Sequence, residues 1–130
     1  MLFRSINNTA NQRVPIEITT INNVNNIEAG YEQTIATTTD GTLYTWGYNS
    51  YGRLGLGDTT RRLIPTPNQS ISNPINIGAG YEQLSIIGND SFIYTTGRGD
   101  EYQMGNGTNR STNQNPTVFD TSAIPKIIVK

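Results

Sequence analysis

NIEAGYEQ, residues Asn26–Gln33, returns as NIGAGYEQ at Asn76–Gln83. A shift of about 50 positions lays the whole chain over itself, a period that marks a repeat architecture. Outward from this stretch, Asp40 returns as Asp90, Tyr44-Thr45 as Tyr94-Thr95 and Gly47 as Gly97. Gly30 returns as Gly80, Gly55 as Gly105 and Gly57 as Gly107. Pro15, Ile21 and Asn23 match Pro65, Ile71 and Asn73, and after a one-residue insertion Pro65 and Pro74 match Pro116 and Pro125. The chain is therefore read as residues 1–26, the tail of a preceding repeat; 27–76, repeat 1; 77–127, a degenerate repeat 2; and 128–130, the start of a truncated further repeat.

Within one repeat, Gln33–Thr38 (matched by Gln83–Gly88) and Thr42–Gly47 (matched by Phe92–Gly97) read as strands, with a weaker one at Ile75–Gly78. Asp40-Gly41 between them predicts a type I′ hairpin turn, which needs positive φ that Asp and Gly tolerate. Asp90-Ser91 is a poorer turn former. Segments after Pro65 and Pro116 supply a fourth strand, with proline at its first residue, where it removes no needed donor. Four short antiparallel strands per repeat predict an all-β chain of β-propeller blades, about two and a half of them.

Composition agrees. Hydrophobic residues make up 34% and charged residues 15%, with Ile and Thr for strands and Asn, Gly and Pro for turns. A net charge of −1 gives no reason to expect nucleic acid or an anionic membrane as partner. With no cysteine and no histidine, a disulfide, a thiolate metal site and the commonest general base are absent. No cofactor or metal pattern stands out. No apolar run approaches the roughly 20 residues that span a bilayer, and MLFRSINNTANQRVP lacks the apolar centre of a signal peptide. The expected setting is intracellular or within a virion or other assembly. The Asn/Ile bias suits an AT-rich genome such as a virus's or protist's, though just two lysines pull against it.

DGTLYTWGYNSYGRLGLGD, Asp40–Asp58, combines glycines with Tyr44, Trp46, Tyr48 and Tyr51. A nucleotide-binding loop needs a helix after the glycines or a Lys-Ser/Thr ending; neither follows, and Arg53 precedes Gly55 and Gly57. The structural reading fits better: Gly47, Gly52, Gly55 and Gly57 permit successive tight turns, and Tyr44 and Trp46 pack between blades.

At these residues the chain resembles the regulator of chromosome condensation repeat family. Ala29-Gly30, Asp40-Gly41, Leu43-Tyr44, Trp46-Gly47, Asn49, Gly52, Leu54-Gly55 and Gly57 carry the resemblance. Repeat 2 departs from it at Thr96, Gly99, Tyr102 and Met104, and Gln33 and Gln83 stand where the family usually has histidine. The resemblance implies a propeller of more blades than this chain holds, used as a binding platform. Family activities include nucleotide exchange on a small GTPase, ubiquitin-ligase scaffolding and light sensing. None carries over: the charge is −1, Trp46 is the single tryptophan, and exchange uses loops of several blades.

Tyr48, Tyr51, Arg53, Arg98, Asp100 and Tyr102 are the candidate partner contacts, since tyrosine and arginine in long loops suit interfaces. Arg98-Gly99-Asp100 spells an integrin-recognition tripeptide in a loop that already favours glycine. Glu32 and Glu82 recur because the blade recurs, and no nucleophile stands beside a base. The expected function is a non-enzymatic interaction or structural module, bound to other subunits or to copies of itself. The alternatives are a lectin-like or adhesion propeller, or part of an exchange-factor regulator. A lectin site repeated per blade is disfavoured, because Tyr48-Asn49 becomes Arg98-Gly99. Both end blades are expected to expose an apolar face.

Overall fold

The computed structural model describes residues 14–107 and 109–118. Eight strands form: β1 Val24–Ala29, β2 Gln33–Thr38, β3 Leu43–Gly47, β4 Arg62–Asn68, β5 Asn76–Ala79, β6 Gln83–Ile87, β7 Ile93–Gly99 and β8 Arg110–Val118. They make two antiparallel sheets in the orders β1-β2-β3-β4 and β5-β6-β7-β8. Each sheet is one meandering blade. A single 3₁₀ turn, Ser50–Gly52, interrupts the β3–β4 link. Residues 1–13 of the preceding-repeat tail, 119–127 of repeat 2 and the truncated further repeat at 128–130 lie outside the described residues.

Period-2 alternation sends Ile35, Leu43 and Thr45 to one face of blade 1, and Ile77, Leu84, Ile86 and Tyr94 to one face of blade 2. These two faces meet. With Ile71 of the connecting segment they form the buried cluster of the molecule. Burying Ile35, Leu43, Leu84 and Ile86 contributes roughly 2 kcal/mol per side chain to holding the blades together.

The hairpin turns differ from the sequence expectation. Gly41 donates to the Thr38 carbonyl at 2.9 Å and Thr38 to that of Thr42 at 3.1 Å. Gly41 has φ 83 but Asp40 is not in the positive-φ region. This is a type I turn followed by a left-handed residue, not type I′. Asp40 instead accepts hydrogen bonds on Oδ1 from the Thr38 hydroxyl and the Thr42 amide. Ser91 takes the Gly41 position in blade 2 with φ 68.

The prolines also sit elsewhere than expected. Pro65 and Pro116 lie inside β4 and β8, not at their starts. Pairing jumps from Thr45↔Thr66 to Gly47↔Arg62, and from Thr95↔Thr117 to Gly97↔Asn113. Each proline therefore falls in a bulge of a blade's outermost strand, where its missing N–H breaks no ladder bond.

Blade 1 and blade 2 are unequal. Every residue of β2 is buried, on both faces of the sheet. In blade 2 the face pointing away from blade 1 is open: Ser85 is exposed, Ile87 is 36% exposed and Ile93 38%. Blade 1 covers β2 on its outer side, yet Ile27, the partner of Ala36 on that side, is 52% exposed, so apolar surface stays open at both ends.

Candidate functional site

The register Gln33↔Gly47 and Gln83↔Gly97 gathers the β1–β2, β3–β4, β5–β6 and β7–β8 links at one end of the two blades. Every partner-contact candidate of the sequence lies at this end. The links cross closely. A Cβ on Gly47 (φ 107) would lie 2.3 Å from the Glu32 carbonyl oxygen, and one on Gly97 (φ 112) 2.1 Å from that of Glu82. The same carbonyls accept from the amides of Tyr48 and Arg98 at 2.8 and 3.0 Å. No side chain fits there, so glycine is required.

Asn49 builds the β3–β4 link from inside. Fully buried, it accepts from the Leu54 amide at 2.8 Å and donates to the Asp58 and Thr60 carbonyls at 3.0 and 3.1 Å. Blade 2 has Gly99 at this position. There the ladder continues instead, pairing Gly99 with Arg110 and lengthening β7 and β8. Gly57 and Gly52 then tie the blade 1 link onto blade 2: the Gly57 amide donates to the Gln114 carbonyl and the Thr96 hydroxyl to the Gly52 carbonyl, both at 2.9 Å.

Arg53 is 2% exposed, in the junction between the blades. Its guanidinium donates to Gln33 Oε1, the Tyr81 carbonyl and Glu82 Oε1, each at 3.2 Å, and to the Ser50 hydroxyl at 2.7 Å. Glu82 also pairs with Arg98 at 2.9 Å, and Arg98 with Asp100 at 2.8 Å. The Asp100 hydrogen bond, and then that of Glu82, raises the Arg98 pKa, while Arg98 holds the Asp100 carboxyl below the usual carboxylate range. The Arg98-Gly99-Asp100 tripeptide is thus closed on itself. Gln33 completes the junction by donating to the Gly80 carbonyl at 2.8 Å.

Tyrosines frame this network. The Tyr48 ring lies 5.4 Å from the Arg53 guanidinium and 5.0 Å from that of Arg61, and Tyr51 (φ 60) lies 5.4 Å from that of Arg98. Tyr102 (φ 58) is 63% exposed. Tyr31 and Tyr81, 55% and 62% exposed, stack across the blades with centroids 4.4 Å apart. Of the six candidates, then, Tyr48 and Tyr102 face solvent, Tyr51 is half-buried, Arg98 and Asp100 are mutually paired, and Arg53 is consumed inside the junction. The Tyr31–Tyr81 stack and the role of Glu82 were missed. Their signal was the identical AGYEQ in both copies.

Two meandering four-stranded blades packed face to face, crossed by glycine-rich links, define a repeat protein of the β-propeller class. Comparison with known proteins agrees. The family model described as regulator of chromosome condensation (RCC1) repeat matches residues 40–85, and a second model of the same description matches 24–53. Residues 24–85 thus carry repeats of the RCC1 type. Over 34 residues, 26% of this chain, it is 59% identical to the ultraviolet-B receptor UVR8 of Arabidopsis thaliana. Its fold is similar to human WBSCR16, with a TM-score of 0.68 and 20% identity over 79% of this chain. It is equally similar to a structure of Kap60 bound to yeast RCC1 (Prp20), with a TM-score of 0.68 and 20% identity over 88%. Prp20p from Saccharomyces cerevisiae, solved with its binding properties to Gsp1p and histones, gives 0.67 and 19% over 88%. The matched region is 8% of the ultraviolet-B receptor and 27–29% of the solved chains. The chain thus spans a fraction of these proteins' length.

Proposed function

We propose that this chain is a non-enzymatic propeller section that works inside a larger assembly, docking other protein subunits or copies of itself. One observation carries the proposal. The positions that blade 2 covers on blade 1, Ile35, Thr37 and Leu43, are buried, whereas their counterparts on the open face of blade 2, Ser85, Ile87 and Ile93, are not. An open apolar sheet face of this kind marks an interface. The tyrosine-rich loop end is the second contact surface. Its arginines and acids largely neutralise one another, which supports a protein partner over nucleic acid. The yeast Prp20 structures, one bound to Kap60 and one solved with its binding properties to Gsp1p and histones, support protein partners in the same way. Repeat boundaries near 27, 77 and 128 belong to this proposal, the first two falling within β1 and β5. The self-paired Arg98 and Asp100 weigh against adhesion through that tripeptide.

Light scattering and hydrogen exchange on the 130-residue chain, beside Ile87→Asp/Ile93→Asp, test the reading. The wild type is expected to associate, and the double variant to lose association while keeping the exchange protection of β2 and β3. A monodisperse, well-protected wild-type monomer at micromolar concentration overturns it.

A further inference from the structure

The Tyr31–Tyr81 stack is not explained by assembly. The two residues are identical in both copies and lie in the β1–β2 and β5–β6 turns, one from each blade. Their rings sit with centroids 4.4 Å apart and planes tilted by 30°, tighter than most aromatic pairs. Both remain more than half exposed, so small diffusible reagents reach them.

We propose that Tyr31 and Tyr81 form an oxidative cross-linking site, at which a dityrosine bond staples blade 1 covalently to blade 2. The co-reactant is a one-electron oxidant of the haem-peroxidase class acting with hydrogen peroxide. Each phenol gives up one electron and its hydroxyl proton. The two phenoxyl radicals join through ring carbons ortho to oxygen, and the hydrogen on each joined carbon then moves to its own oxygen, restoring both aromatic rings. The pair loses two electrons and two protons in all, and one hydrogen peroxide takes them up to become two waters.

Three features of the chain favour this pair. The neighbouring Tyr31 phenol, more than desolvation or Glu82, pushes the Tyr81 hydroxyl up from its ordinary value, in keeping with the close contact of the two rings. Centroids 4.4 Å apart put the two rings in contact, the proximity that radical coupling needs. Two oxidisable side chains that compete with tyrosine are shielded among the described residues. Trp46 and Met104 are buried, and the chain has no cysteine. The remaining tyrosines lack such a partner: among the described residues, the Tyr31–Tyr81 rings are the one aromatic pair in contact.

The test is treatment of the 130-residue chain with horseradish peroxidase and hydrogen peroxide at low protein concentration, followed by dityrosine fluorescence, intact mass and peptide mapping. The expected product is a monomer lighter by two hydrogen atoms, with the Tyr31 and Tyr81 peptides joined. Tyr31→Phe and Tyr81→Phe lose the intramolecular product, Tyr102→Phe retains it, and unfolding in urea before oxidation removes it. Undiminished intramolecular product in Tyr31→Phe, or a native-chain product made only of chain-to-chain links through Tyr102, overturns the proposal. Since the phenylalanine variants keep the stack, loss of product in them reports chemistry and not misfolding.

Discussion

Replacing Arg53 by methionine removes the guanidinium that joins the blades while refilling most of the volume of its stem. The cost follows from what is left behind. Glu82 Oε1 loses a partner at 3.2 Å, and Gln33 Oε1 and the Tyr81 carbonyl lose theirs. Breaking a buried ion pair from one side costs about 3–5 kcal/mol, because the surviving charge stays in a poor solvent. Glu82 keeps Arg98 at 2.9 Å and is not fully buried, which softens the loss. The expected cost is about 2–3 kcal/mol, against about 0–1 for an exposed pair. Urea unfolding monitored by Trp46 fluorescence measures it, with an unchanged m-value showing that the unfolded state is not altered. A cycle with Glu82→Gln separates the pairwise part, expected to be about 1–2 kcal/mol. A loss under about 0.5 kcal/mol in Arg53→Met would refute the reasoning, since it would make the junction no stronger than a surface ion pair.

Trp46→Ala empties a site that is 2% exposed, and is expected to lower stability by about 3–5 kcal/mol in the same assay. Gly30→Ala and Gly80→Ala form a matched pair. A Cβ on Gly30 would lie 2.3 Å from the Gly80 carbonyl oxygen, whereas on Gly80 the nearest atom is 3.4 Å away, so only the first is expected to reduce the thermal midpoint. Asp58, held low first by Arg62, and Asp40, Asp90 and Asp100, held low by their hydrogen bonds, all have depressed carboxyl pKa values. Their stabilisation is complete above the unfolded value of 3.8 and is lost as pH falls through the folded values. With no histidine in the chain, the urea midpoint is expected to be flat between about pH 5 and 8 and to fall only in acid.

The strands were legible because period-2 patterning in each copy was doubled by the repeat. Gln33–Thr38 was placed to the residue, and β3 and β6 to within one at a single end. The hairpin type was not legible, because Asp-Gly suits both a type I′ turn and the left-handed end of a type I turn. The choice was made by Asp40 accepting from Thr38 and Thr42. The prolines misled because a bulge in an edge strand tolerates proline as well as a strand start does. At the loop end, Tyr48 and Tyr102 could be picked out as surface groups. That Arg53 points inward could not, since its partners Gln33, Tyr81 and Glu82 are distant in sequence and meet only through blade packing.

The inequality of the two blades sets what the chain can build. A subunit propagates a stack or closes a ring only if it offers two different surfaces, one to receive a neighbour and one to be received. Blade 1 covers its β2 on both sides but leaves Val24 and Ile27 of β1 open, and blade 2 leaves Ile87 and Ile93 open. The two ends are therefore unlike, so a contact between them would be heterologous: head to tail, as one blade follows another, and not a two-fold pairing of equal faces.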